Sequence, residues 1–312
     1  HSPDNLVIYF PQKRILFGGC MVKSLQSKNL GNTADADLDE WPKSIKRVLE
    51  RYQEDADIVV PGHGKCGSID LLSHTIELGC FKGYKGCFAM YSINEDQYTF
   101  TAYTSEDKLE KRISPCSTFK IINSLIGLKT GVIENENTLF EWDGKQRSIE
   151  SWNQDHTLKT AIANSVVWYY QRLASEVGYE QMQEILNEVN YGNNDISGGI
   201  NQFWLQSSLK ISPKEQINIL KRFYNYDLPF TKEQIDIVKD ILILEKKGDT
   251  VLSGKTGSGG ANGKMVNGWF IGYVENKEDT YLFVSNIEGE DHANSYKAKE
   301  IALSFLSDKG IW

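Results

Sequence analysis

The rhythm of apolar and polar positions changes near residue 80. Before it, residues 5–10 and 15–22 are short apolar runs separated by Pro11 and read as strands. Residues 38–53 carry helical spacing, with Pro42 tolerated in the first turn. Asp57 to Val60 is a short strand running into the turn Pro61-Gly62-His63-Gly64, and residues 68–79 read as a closing helix. Strand, helix, strand is the alternation of α/β layers. After Gly79 the pattern shifts. Residues 84–91 and 97–103 are rich in β-branched and aromatic residues and predict a hairpin. A helix follows from Ser117 to about Lys129, stopped at Gly131. Residues 155–226 are mainly helical, and strands recur at 268–275 and 279–287. The junction at 79–83 has no flexible spacer, so two domains are expected, 1–79 and 80–312.

The composition narrows the function classes. Net charge is −8, against a general nucleic-acid binder. No uninterrupted apolar stretch approaches the roughly 18 residues of a membrane span. The five cysteines are odd in number and scattered, so no disulfide framework is expected. The first residue is His1 rather than Met, which marks a processed form or a fragment and leaves any export signal out of view. Oligomeric state stays open.

The chemistry starts at Ser117-Thr118-Phe119-Lys120. A serine hydroxyl is a poor nucleophile until a base takes its proton. On a helix, Lys120 lies one turn from Ser117, among Phe119, Ile121, Ile122, Leu125 and Ile126. Such surroundings disfavour an ammonium and make the lysine a candidate base. A serine at a helix start also offers backbone N–H groups to a developing oxyanion. Alone, S-x-x-K is more often a capping serine and a snorkelling lysine. The reading gains weight from Lys255-Thr256-Gly257 far downstream. Placed on an edge strand, Gly257 would let a substrate approach, while Lys255 and Thr256 would hold its carboxylate. Ser165-Val166-Val167 falls in a segment, Ala161 to Arg172, that reads as helical, and Ser165 could relay a proton. Tyr191-Gly192-Asn193 reads as a turn, and Trp204 needs a partner for its N–H if buried.

Taken in order, these motifs resemble the class D serine β-lactamases and the sensor domains of penicillin-responsive receptors that share their fold. The resemblance covers about residues 80–312 and adds Pro115-Cys116, Phe203-Trp204 and Gly268-Trp269-Phe270-Ile271-Gly272 to the set. It implies a penicillin-recognising α/β fold, an antiparallel sheet flanked by helices with a helical subdomain. It implies that Ser117 is acylated and that Lys120, N-carboxylated by carbon dioxide, is the general base. Trp204 would hydrogen-bond the carbamate, Val167 would keep its pocket dry, and Ser165 would pass the proton to the β-lactam nitrogen. The N–H groups of Ser117 and Ser258 would form the oxyanion hole. One departure concerns the last helix, where the family usually has an Arg for the substrate carboxylate. Here the stretch is Ser295-Tyr296-Lys297-Ala298-Lys299, so Lys297 or Lys299 would substitute, or Lys255 and Thr256 would act alone.

The first 79 residues carry a second resemblance, to the C-terminal half of a class B zinc β-lactamase. It rests on His1-Ser2-Pro3-Asp4-Asn5, Gly18-Gly19-Cys20, Lys23, Asn29-Leu30-Gly31-Asn32 and Pro61-Gly62-His63-Gly64. It implies a partial αββα half-domain with His1, Cys20 and His63 as zinc ligands. The H-x-H-x-D motif of that family's first half is missing, so the ligand set is incomplete.

The function implied is β-lactam hydrolysis through an acyl-enzyme, with penicillins as first substrates and no cofactor beyond carbon dioxide. The alternative is a penicillin-sensing module acylated at Ser117 without turnover. A cell-wall transpeptidase ranks lower, since it usually has Asn where Val167 stands. Both leading readings imply action outside the cytoplasmic membrane.

Overall fold

A computed structural model describes residues 5–27, 30–38, 40–93, 108–277 and 279–312. The chain forms two compact units, the first ending at Gly86 and the second running from Cys87 to Trp312.

In the first unit, β1 (Ile8–Phe10) and β2 (Ile15–Gly19) pair antiparallel, α1 (Glu40–Tyr52) follows, β3 (Ile58–Pro61) pairs parallel to β2, and α2 (Asp70–Cys80) closes. Side chains alternate across this three-stranded sheet. Leu16 and Val59 are fully buried with Trp41 and Ile45 of α1 and Leu71 and Leu72 of α2. Ile8, Phe10, Phe17 and Ile58, on the opposite pleat, are each close to half exposed.

The second unit is built on a five-stranded sheet in the order β4-β10-β9-β8-β7. Its strands are β4 (Lys85–Ser92), β7 (Ile243–Lys247), β8 (Thr250–Ala261), β9 (Lys264–Glu275) and β10 (Thr280–Glu288). Two short strands, β5 (Leu139–Phe140) and β6 (His156–Thr157), pair separately. The helices are α3 (Lys120–Thr130), α4 (Leu158–Ala163), α5 (Val167–Val177), α6 (Tyr179–Val189), α7 (Pro213–Tyr224), α8 (Lys232–Ile241) and α9 (Ser295–Asp308). Strands β8, β9 and β10 form an antiparallel meander buried on both faces. Trp269, Ile271, Tyr273, Leu282 and Val284 join the large helical core, whereas Phe88 and Phe283, with Phe305 of α9, pack on the other side. This alternation fixes the register, because a one-residue slip would exchange the two faces.

Helix α3 is the axis of the helical half. Every residue from Lys120 to Leu128 is buried, so the helix is enclosed all round. It ends at Gly131, whose φ of +74° makes the left-handed cap the sequence predicts. Helix α7 starts at a capping box in which Ser212 and Glu215 satisfy each other's backbone N–H, with Pro213 in the first turn.

Two sequence expectations are changed, and a third, the predicted strand at 97–103, lies outside the described residues. Ser165 is not helical: the chain breaks between α4 and α5, and Ser165 takes φ +54° there. Apolar spacing runs through the break because Ile162 and Val166 are both buried, which hides it from a periodicity argument. Finally, β8 is not an edge strand, because β7 flanks it. However, β7 pairs only with Thr250–Ser253, so Lys255-Thr256-Gly257 continues past the end of its neighbour with no strand paired on that side among the described residues. Half a strand can behave as an edge when the flanking strand is short.

Candidate active site

Three elements converge on Ser117. It sits in a single 3-10 turn, Cys116–Phe119, that leads directly into α3, whose first residue is Lys120. Tight 3-10 geometry at a helix start turns the i+3 side chain back onto the first residue. Lys120 Nζ lies 2.6 Å from Ser117 Oγ. The break before α5 supplies Ser165, whose Oγ is 3.4 Å from Lys120 Nζ. Strand β8 supplies Lys255, whose Nζ donates to Ser165 Oγ at 3.0 Å and to its neighbour's carbonyl, Thr256 O, at 3.0 Å. Ser165 Oγ thus sits between two lysine nitrogens.

Both lysines are buried, and no carboxylate pairs with either among the described residues. Burial drives Lys120 well below the ordinary lysine range, and the neighbouring positive charge of Lys255 pushes it the same way. Burial brings Lys255 to about 7. A lysine that is neutral near physiological pH can accept a proton, which is what Ser117 requires. Lys120 also lies over the Tyr170 ring, 5.4 Å from its centroid.

The turn is held by its own backbone. Thr118 Oγ1 donates to Pro115 O at 2.7 Å, and Cys116 takes φ +51°. Gly257 is needed where β8 passes this turn. A Cβ there would lie 3.1 Å from Pro115 O and 3.2 Å from Ser117 N, tight enough to displace the turn. Ser258 follows on the same strand, its Oγ accepting from Ser295 N at 2.9 Å. Cys116, next to Ser117, is a poor thiolate: burial pushes its thiol up to about 11.

Trp204 is fully buried against Phe119, the residue before Lys120, with ring centroids 5.9 Å apart. Its Nε1 has no hydrogen-bond partner among the described residues. A buried indole N–H normally finds an acceptor. Val166 is fully buried beside Ser165, and Val167, half-buried, starts α5. The Tyr191-Gly192-Asn193 turn is confirmed. Gly192 has φ +60°, and a Cβ there would lie 2.0 Å from Lys210 O.

The structure does not bring every sequence-predicted residue together. Lys297 is ion-paired with Glu300 at 2.9 Å on its own helix, and Lys299 lies over the Phe270 ring. Neither contacts the Ser117 cluster among the described residues, whereas Lys255 reaches it through Ser165. In the first unit, Cys20 Sγ and His63 Nε2 approach to 3.7 Å, while His1 and Asn29 lie outside the described residues. Among the described residues no group of three or more His, Cys, Asp or Glu side chains could hold a metal ion. Cys20 and His63 by themselves are two of the three donors an open catalytic zinc needs.

With this geometry in place, comparison with known proteins decides the family. The penicillin-binding protein transpeptidase domain matches residues 85–307. The chain belongs to that family. Its relatives within the family include the probable β-lactamase YbxI of Bacillus subtilis, 41% identical over 231 residues, which are 74% of this chain and 83% of YbxI. The regulatory protein BlaR1 of Bacillus licheniformis is 40% identical over 227 residues, 73% of this chain. The chain spans only 37% of BlaR1. Among solved structures, the class D β-lactamase BAT-2 superposes with a TM-score of 0.70 at 39% identity, covering 75% of this chain and 94% of that one. Residues 85–307 therefore have the class D β-lactamase and penicillin-sensor fold, as the motifs imply. The match begins at Lys85 and gives no support to a metallo-β-lactamase half in residues 1–79.

Proposed function

We propose that the chain hydrolyses β-lactam amides through an acyl-enzyme on Ser117, with penicillins as first substrates and antibiotic resistance as the consequence. The observation that carries this is the 2.6 Å approach of a buried, proton-poor Lys120 to Ser117 Oγ. Lys120 takes the Ser117 proton as Oγ attacks the lactam carbonyl. The N–H groups of Ser117 and Ser258 face the developing oxyanion. Ser165, between Lys120 and Lys255, passes a proton to the departing ring nitrogen. Lys255 and Thr256 hold the substrate carboxylate, which draws Lys255 toward its charged form on binding. Water then cleaves the ester.

Carbon dioxide fits this site as a carbamate on Lys120, where it would supply the general base for both half-reactions. A neutral lysine amine is the form that takes up carbon dioxide, and Trp204 Nε1 is an orphaned buried donor suited to a carbamate oxygen. Val167 would help exclude water. Bicarbonate should therefore raise turnover, most strongly at low pH; indifference to it would remove this role.

The second reading is a penicillin sensor that acylates without turnover, supported by an identity to BlaR1 that nearly equals that to YbxI. Both readings place the protein outside the cytoplasmic membrane, and among the described residues no helix is long and apolar enough to cross one. For residues 1–79, the proposal of a partial metallo-β-lactamase half rests on the sequence resemblance and the Cys20–His63 approach. No step is assigned to it. Ser117→Ala should abolish covalent labelling by penicillin while the protein stays folded; labelling elsewhere would overturn the assignment.

A further inference from the structure

Behind the nucleophile turn runs a line of buried polar side chains that the mechanism does not use. Lys108, only 5% exposed, donates from Nζ to Asn286 Oδ1 at 3.0 Å. Asn286 Nδ2 donates to Asn267 Oδ1 at 3.0 Å and to Gly268 O at 3.0 Å. Asn267 Nδ2 donates to Ser114 O at 2.9 Å and reaches Cys116 Sγ at 3.6 Å. Trp269 Nε1 donates to the same Ser114 carbonyl at 2.9 Å. Ser114 Oγ in turn donates to Trp204 O and accepts from Gln206 N, each at 2.9 Å. Asn286, Ser114 and Asn267 are all buried.

The line has a direction. A lysine ammonium only donates, so it fixes the oxygen of Asn286 toward itself. That turns the Asn286 amide nitrogen inward, which fixes the oxygen of Asn267 outward and leaves its nitrogen facing Ser114 O. The two peptide carbonyls, Gly268 O and Ser114 O, only accept, and both meet the nitrogen ends. Reversing either amide would set oxygen against oxygen in a site closed to water. Ser114 lies three residues before Ser117, and between them Cys116 occupies a left-handed conformation that only surrounding contacts can hold. A buried ammonium is also costly to place, and Glu288, 3.2 Å from Lys108 Nζ and itself 3.1 Å from Lys111 Nζ, offsets that cost.

We infer that Lys108, acting through Asn286 and Asn267, is a positioning residue that sets the turn carrying Ser117 for acylation. This rests on the acyl-transfer reading of Ser117. A displaced turn would misplace Ser117 Oγ relative to Lys120 and its N–H relative to the oxyanion, without touching the carboxylate site at Lys255. The defect should therefore fall on the acylation step rather than on binding.

The test is single-turnover acylation by benzylpenicillin, followed by intact mass, for the full chain and its Lys108→Met, Lys108→Gln and Asn267→Asp variants, with thermal melts of each. Lys108→Met should slow acylation at saturating penicillin about tenfold, with the half-saturating concentration within about twofold of the parent. Lys108→Gln, equally uncharged but still a donor, should restore most of the rate. Asn267→Asp, of the same shape but with an acceptor facing Ser114 O, should be slow even if Lys108→Met fails to fold. Parental rates in Lys108→Met or Asn267→Asp would overturn the inference, as would equal slowing by Met and Gln. If the parent chain itself acquires no adduct on Ser117, the acyl-transfer reading falls first.

Discussion

Replacing Lys255 by Met separates the two roles the site assigns to that lysine. The first is electrostatic. Lys120 Nζ and Lys255 Nζ lie 3.4 Å and 3.0 Å from the shared Ser165 Oγ. The two nitrogens are therefore at most about 6 Å apart, and two full charges at that distance repel by about 3 kcal/mol at an effective dielectric of about 20. That corresponds to about 2 pH units on Lys120. Lys255 itself titrates at about 7, so near neutral pH only about half of that repulsion acts. Removing it should raise the Lys120 pKa by about 1 unit, with burial still holding it low. The second role is recognition: a charge-assisted hydrogen bond to a carboxylate contributes about 1.5–3 kcal/mol. Lys255→Met should thus raise KM by about 10- to 100-fold. It should also move the acid limb of the acylation profile about 1 unit toward alkaline pH. The assay is the pH dependence of kcat/KM for a chromogenic cephalosporin from pH 5 to 9. An unmoved acid limb would show that Lys255 does not bear on Lys120. A loss confined to kcat, with KM unchanged, would remove Lys255 from substrate recognition.

Two further outcomes concern stability. Lys120, Lys255 and Lys108 are all depressed in the folded protein, the last two to about 7 and about 8. The unfolded chain therefore binds more protons than the folded one between those values and the ordinary lysine range. Stability is lost as pH falls through that range, so the melting temperature of the free protein should rise between pH 7 and 8.5. Each lysine neutral only in the folded state contributes up to about 1.4 kcal/mol per pH unit, and Lys120→Met should flatten the rise. A flat or falling curve in the parent would contradict the depressed values. Gly192→Ala should cost about 3 kcal/mol or more, because it combines a left-handed backbone with overlap onto the Lys210 carbonyl. In thermal denaturation that is a fall of roughly 6–12 °C, and a change under about 1 °C would show that the turn relaxes freely.

Much of this site is legible in sequence because its residues stand at fixed local spacings. Ser117 and Lys120 are three apart, so a helical continuation puts them on one face, and burial of that face brings them to 2.6 Å. Lys255-Thr256-Gly257 is legible for a different reason, since a glycine after two polar residues in a strand signals close approach. The environment of Ser165 was not legible. Its helical apolar spacing continues across a break at which Val166 packs into the core and Ser165 takes a left-handed backbone. The flank of Lys255 without a paired strand was missed in part, because it depends on where β7 stops. The line from Lys108 to Ser114 spans long sequence separations, and only its middle link, Asn286 to Asn267, is made by the register of β9 against β10. Its one visible trace is polar residues at inward strand positions, Asn267 and Asn286, which a register argument could flag as needing partners.

The most direct measurement is turnover of benzylpenicillin by the purified chain, with intact mass recorded through the reaction. Sustained hydrolysis is expected, with a transient adduct on Ser117 that rises and decays within each turnover. A stoichiometric burst ending in a long-lived adduct would contradict hydrolysis and leave the sensor reading, and turnover with no adduct would contradict the Ser117 mechanism itself.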